Sequence, residues 1–471
     1  MIYSKTPRKE TLRSLANAIH IPFWLDDSSR PAPEAELTRT ISTDLLVIGA
    51  GFTGLWTALL AKEADPSRDV VVLEAGEVAQ GATGRNGGFM DASITHGFLN
   101  GLARWPHEIS TLHSMGLVNL AEIESTIDRL NIECDYHRTG EIDIATEPYL
   151  LDEFKKIIEL AKPYKINFQF LDRDEIQNVV KSPIFIGGVK RFDSSIVNPV
   201  QLAWGLRKAC LDLGVQLFEK TPVTKLEEEN KAIVARTPHG HVRASRVALA
   251  TNAFPPLLKR ISYYVVPVYD YVLMTEPLTP SQRESIGWHG REGLSDANNQ
   301  FHYFRTTIDG RILWGGYDAV YYWNNGFGPH LENKPASFAR LAEHFFQAFP
   351  QLEGIRFTHA WGGAIDTCAR FSPFWGTAHH RKTAYVMGYT GLGVGASRFG
   401  AHVMLDILDG KQTERTRLEF VRSKPLPFPP EPFRSLGINL SRWSLDQADR
   451  NQGRENLWLR AMDWLGLGFD S

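Results

Sequence analysis

The longest charge-free pattern in the chain runs from Leu45 to Ala61, "LLVIGAGFTGLWTALLA". Its first four residues are leucine and β-branched, the character of a strand buried on both faces. Glycines follow, and "LWTALLAKEA" then predicts a helix. "VVVLEAG" adds a second buried strand ending at Glu74, so Asp44 to Glu74 forms a compact strand–helix–strand unit. A membrane-spanning helix needs roughly 20 apolar residues. Here the run is shorter, and Asp44 and Lys62–Glu63 flank it without a basic cluster, so no membrane span is expected.

Further along, helical periodicity dominates from Leu102 to Leu130. "GEIDIATE" predicts a strand and "PYLLDEFKKIIELAKPY" an amphipathic helix. "RVALATNAF" is another buried strand. Between Val265 and Tyr317, aromatic and β-branched segments alternate with turns such as Asp309–Gly310, the pattern of antiparallel sheet. "SFARLAEHFFQAFP" predicts a helix, and "TAYVMGYTGLGVGASRFGAHVMLDIL" a strand, glycine loop and helix. Residues 1–40 have the loop chemistry of an irregular arm. After the proline-rich stretch from Pro425 comes a short amphipathic helix. Its stripe of Leu457, Trp458, Ala461, Met462, Trp464 and Leu465 packs on the protein itself or docks on a membrane or partner.

With 471 residues, two or three domains are expected. The nucleotide-type segments are scattered, so one domain is assembled from 41–100, about 190–255 and about 355–420. A second, from about 135–190 and 256–354, is α+β with a mainly antiparallel sheet and holds the substrate. An arm (1–40) and an extension (421–471) complete the chain. The net charge of −3 gives no electrostatic basis for nucleic-acid binding. Cys134, Cys210 and Cys368 are far apart, which fits a reducing compartment and offers neither a disulfide framework nor zinc spacing. Basic residues at the start precede no apolar core, so a secretory signal is not expected and the cytoplasm is the expected location. His379–His380 lies in a turn-like stretch, where solvated histidines outweigh a metal pair; no metal is expected.

Gly49, Gly51 and Gly54 stand as G-x-G-x-x-G between strand and helix. Gly49 suits the tight turn, Gly51 admits a pyrophosphate against the backbone, and Gly54 lets the helix lie on the sheet. The helix N-terminus presents unpaired N–H groups to the anion. Glu74, twenty residues past Gly54, can accept both ribose hydroxyls and repels a 2′-phosphate. Two further features favour FAD over NAD. The loop Gly81 to Gly88 can wrap a second phosphate and a ring. "GYTGLGVGASRFG" is a second glycine turn whose spacing is not a dinucleotide fingerprint but which can aim a helix N-terminus at a flavin carbonyl.

These segments, with "RFDSSIVNPVQLAWGLRKACLDLGVQLFEKTPV" and "DGRILWGGYD", resemble the D-amino-acid oxidase superfamily of FAD enzymes over most of the chain. Within it the similarity points to the glycine oxidase and gamma-glutamylputrescine oxidoreductase branch. The resemblance implies a Rossmann-like FAD domain of the glutathione reductase type. It implies that Gly49, Ala50, Gly51, Phe52, Thr53 and Gly54 surround the pyrophosphate, with Glu74 and Ala75 at the ribose. Ala82, Thr83, Arg85, Asn86, Gly87 and Gly88 would lie along pyrophosphate and flavin. Val223 would meet the adenine, and Gly391, Leu392, Gly393 and Val394 the pyrimidine end of the ring. Arg370 departs from an acid carried by many relatives. Cys368 is offset from the position where some relatives attach flavin, so non-covalent FAD is expected.

The implied chemistry is oxidation of a C–N bond in a small amine or amino acid, with oxygen or another acceptor taking the electrons. Arg305 is a candidate for a substrate carboxylate. Tyr271, with Tyr269 on the same strand face, is a candidate for a cation–π wall. Trp361 is a candidate pocket wall, and Arg85 a candidate for tuning the flavin. Two other classes stay open: a flavin hydroxylase using NAD(P)H, and a non-catalytic FAD-binding subunit of an electron-transfer complex.

Overall fold

The computed structural model describes residue 3 and residues 6–467. At the heart of the first sheet five parallel strands lie in the order Thr383–Met387, His241–Leu249, Thr40–Ile48, Val70–Leu73 and Gln216–Phe218. Phe374–Ala378 adds an antiparallel edge. The apolar run of the first strand is explained by burial on both faces. Leu45 and Val47 enter the core beneath the helices Phe52–Ala64, Pro199–Asp212 and Gly393–Leu408, whereas Leu46 and Ile48 enter a second core on the opposite face. Each such side chain contributes about 1.5–3 kcal/mol.

A second sheet has nine strands, three of which pair with Val266–Thr275 near one edge. Its pairings are antiparallel except where Gly293–Asp296 runs parallel to Glu141–Ala145. Helix Pro335–Ala348 packs behind it, against a core rich in phenylalanine and tryptophan. One boundary differs from the sequence reading. Phe357–Thr367, expected in the dinucleotide domain, pairs with Val266–Thr275 almost from end to end and so belongs to the second sheet.

The ends of the chain are more structured than their composition predicts. Within the arm, helix Lys9–Ser14 docks on helix Pro335–Ala348 through Glu343. That carboxylate accepts from Thr11 Oγ1 at 2.6 Å and from the Arg8 amide and Nε, each at 3.0 Å. In the tail, a helix the sequence did not reveal, Phe433–Arg450, precedes the expected one at Leu457–Trp464. Asp449 ties it to the second sheet by accepting from the Asn299 and Gln300 amides at 2.9 and 3.0 Å. In the last helix Leu459 is buried, while Leu457 and Trp464 are exposed. Among the described residues no helix is long and apolar enough to cross a membrane.

Candidate active site

The strand–helix turn is built by close approach. Gly49 has φ +103°, and a Cβ on Gly54 would stand 1.8 Å from the Gly49 carbonyl oxygen. Only with hydrogen at both positions do strand and helix meet this tightly. Gly51 caps the helix, and its missing side chain leaves the Thr83 hydroxyl to accept from the Phe52 amide at 3.1 Å. Glu74 stands at the end of the neighbouring strand. Its carboxylate accepts from the Ala50 amide at 2.7 Å and the Gly76 amide at 2.9 Å. Burial pushes this carboxyl above its ordinary range, against the pull of those amides.

Two indoles hold the glycine loop after Glu74 from behind. Trp24 Nε1 donates to the Asn86 carbonyl at 2.8 Å and Trp361 Nε1 to the Arg85 carbonyl at 3.0 Å. The Asn86 side chain closes the turn from within, donating to the Ala82 and Thr83 carbonyls and accepting from the Gly88 amide. These hydrogen bonds hold the loop in shape, which lowers the ordering cost of binding.

Between this loop and the second sheet runs a cavity of about 2300 Å³. It extends from Glu74 and Val223, past Gly87 and Leu392, to Asp270 and Tyr303 on the sheet face. Of the residues expected at a cofactor, Ala50, Gly54 and Gly88 stand behind the wall and the others line it. Helix Gly393–Leu408 starts on the cavity, so its N-terminal amides face the space. Asp366 accepts from the Gly388 amide at 2.6 Å and fixes the strand entering that turn; burial holds its carboxyl up to about 6.

The substrate candidates fall elsewhere. Tyr269 and Tyr271 do share a strand face, but that face is turned to helix Pro335–Ala348. The Tyr271 hydroxyl contacts that of Tyr322 and donates to the Leu331 carbonyl, 2.9 Å each. Val266, Val268, Asp270 and Val272 face the cavity instead. Trp361 is a loop anchor and not a wall. Arg305 is fully buried behind Gly88, donating to backbone carbonyls. Arg85 lines the cavity but is paired with Glu332 at 3.0 Å. Arg370 turns into the protein and donates to the Pro373 and Phe420 carbonyls. Cys368 is buried, and burial pushes its thiol up, away from the reactive thiolate. Among the described residues no group of side chains could hold a metal ion.

Residues 44–407 match the family described as FAD dependent oxidoreductase. The chain belongs to that family. It is an FAD-dependent oxidoreductase, and the glycine turn, Glu74, the clamped loop and the second helix N-terminus fit the cofactor's extended shape. "Probable oxidoreductase OrdL" of Haemophilus influenzae is 29% identical, covering 82% of this chain and 88% of that protein. "Gamma-glutamylputrescine oxidoreductase" of Escherichia coli is 28% identical, over 86% and 92%. The fold matches glycine oxidase from Geobacillus kaustophilus, with a TM-score of 0.69 at 18% identity over 81% of this chain and 99% of that one.

In this FAD-dependent protein, Glu74→Ala removes the carboxylate expected at the ribose and leaves the Ala50 and Gly76 amides without their partner. FAD affinity is expected to fall about tenfold or more, equivalent to about 1.4 kcal/mol. Fluorescence of released flavin on dilution measures it.

Proposed function

We propose that the protein oxidises a carbon–nitrogen bond of an amine or amino acid to an imine, which water then hydrolyses. When bound, FAD supplies the acceptor, at flavin N5, for the hydride that leaves the carbon beside nitrogen. The chain's own residues do the positioning. Trp24 and Trp361 lock the loop backbone, and Glu74 and the amides at the start of helix Phe52–Ala64 hold the nucleotide. The sheet face carrying Asp270 and Tyr303 receives the substrate. Fixed geometry of this kind can remove several kcal/mol of barrier.

One observation carries this reading. A single cavity joins the dinucleotide turn to a polar sheet face, giving room for FAD and a small substrate together. The names of the relatives, one of them an oxidoreductase of gamma-glutamylputrescine, support amines as the substrate class. Electrons pass on to oxygen or to another acceptor, and the three buried, unpaired cysteines support a reducing compartment such as the cytoplasm.

The test is anaerobic. Mixing the yellow protein with a panel of amines and amino acids is expected to bleach the flavin with one of them. Bleaching only by NAD(P)H would overturn the reading. Acid precipitation of the same protein is expected to leave the colour in the supernatant, because FAD is held without a covalent bond.

A further inference from the structure

On the sheet face beneath the cavity, polar side chains stand among valines. Register places Val272, Gly315, Tyr303, Ser295 and Asp143 in one row across five strands, with Asp270 two residues from Val272 on the same face. Tyr303 reaches over Gly315 to donate to Asp270 Oδ2 at 2.6 Å. A Cβ on Gly315 would lie 2.6 Å from the Tyr303 hydroxyl, so the reach requires a glycine there. The same ring rests against Gly87, whose Cβ would come within 2.9 Å, so the pair stands beside the flavin loop. The other Asp270 oxygen accepts from the Tyr271 amide at 2.7 Å. Burial pushes this carboxyl up to about 6.

At the far end of the row, Asp91, Glu141 and Asp143 share a single guanidinium. Arg191 lies 3.5 Å from Asp91 Oδ1, 2.7 Å from Glu141 Oε2 and 3.4 Å from Asp143 Oδ2. Asp143 Oδ1 accepts from Ser295 at 2.7 Å. Asp91 is only 6% exposed, and the oxygen it turns toward Arg191 accepts no hydrogen bond. Three carboxyls thus stand against one guanidinium, and burial pushes the Asp91 carboxyl up and the Glu141 carboxyl up to about 8. By contrast, the wall offers little to a substrate carboxylate. Arg85 is engaged by Glu332, Arg191 by three carboxylates and Arg434 by the Pro429 carbonyl and Asn325, while Lys156 is exposed and Arg442 half-buried on the covering helices.

We propose that the substrate is a long linear diamine or polyamine without a carboxylate, one ammonium group lying at Asp270 and Tyr303 and another at Asp91, Glu141 and Asp143. Four strand spacings separate the two ends, about 19 Å between backbones. The Tyr303–Asp270 and Ser295–Asp143 hydrogen bonds draw the charged ends inward from that backbone spacing, to a reach that suits a chain of about ten carbons and exceeds the two charges of an α-amino acid. This proposal rests on the amine-oxidising reading and narrows it.

The test uses the dithionite-reduced holoenzyme, which cannot oxidise a ligand, and isothermal titration with three chains of equal length. Expected is that 1,10-diaminodecane binds about tenfold or more tighter than 1-aminodecane, and 10-aminodecanoate more weakly than either. Asp143→Asn is expected to remove the advantage of the second ammonium. The ranking of the three ligands on the unmodified protein stands even if that variant fails to fold. Equal binding of diamine and monoamine, or tightest binding of the carboxylate, overturns the proposal. It would leave amine oxidation intact if some amine still bleaches the oxidised protein; failure of every amine to bleach it would sink the broader reading instead.

Discussion

Gly54→Ala is expected to yield protein almost devoid of flavin. The added methyl would sit 1.8 Å from the Gly49 carbonyl oxygen and 2.9 Å from its carbon, both backbone atoms that no rotamer change can clear. The helix must back away from the strand, or Gly49 must turn. Turning is blocked, because Gly49 holds φ +103° with the Ala250 carbonyl close behind it. Backing away withdraws the N-terminal amides of helix Phe52–Ala64 from the cavity where the pyrophosphate is expected, and interior overpacking costs about 1–3 kcal/mol in addition. Both losses act on cofactor binding. The ratio of flavin to protein absorbance is expected to drop to roughly a tenth or less of the parent's, with a lower Tm. Full flavin content with an unchanged Tm would mean that the strand–helix contact is not what holds the cofactor.

That site was legible because its determinants are local. A strand, a glycine turn, a helix and an acidic residue one strand later lie within Asp44 to Glu74, and each type is chosen for its own backbone. The substrate half depends on facts that no short window carries. Alternation along "VVPVYDYVLMTEP" shows that Tyr269 and Tyr271 share a face, and that Asp270 points the other way. Which face meets the cavity is decided by helix Pro335–Ala348, some sixty residues later, which covers the tyrosines. The lone aspartate between two tyrosines was the available signal and was passed over. The Tyr303–Asp270 pair is further hidden, since it depends on register across the intervening strand and on glycine at position 315. Trp361, expected at a pocket wall, instead anchors the loop, because an indole N–H seeks a carbonyl wherever the chain brings one. The tail helix Phe433–Arg450 escaped notice for a simpler reason: Gly437 and many polar residues blur its periodicity.

Arg305→Met is expected to damage the fold and to leave substrate recognition unchanged. The guanidinium is fully buried. Its Nη1 donates to the Val197 carbonyl at 2.7 Å and the Gly88 carbonyl at 3.3 Å, and its Nε to the Thr306 carbonyl at 3.3 Å. The Trp24 ring lies 5.6 Å away, so the arginine, the flavin loop and the arm form one packed unit. Burial lowers the guanidinium to about 9, still charged at neutral pH, and Asp135 stands 3.6 Å from Nη2. Methionine has similar reach and fills the space, so cavity formation contributes little. What it lacks is donors: carbonyls in a dry interior lose their partners, at about 1–3 kcal/mol each. Asp135 keeps Arg291, at 2.5 and 3.0 Å, which limits the electrostatic part of the loss. The Gly88 carbonyl keeps the Val197 amide, so the other two bring the sum to about 2–6 kcal/mol, a large share of a typical domain's stability. Denaturant titration of the holoprotein is expected to show a markedly lower midpoint, and whatever enzyme remains folded should keep its KM. A KM raised many-fold at unchanged stability would return Arg305 to the substrate and displace the loop-anchoring role derived from its carbonyl contacts.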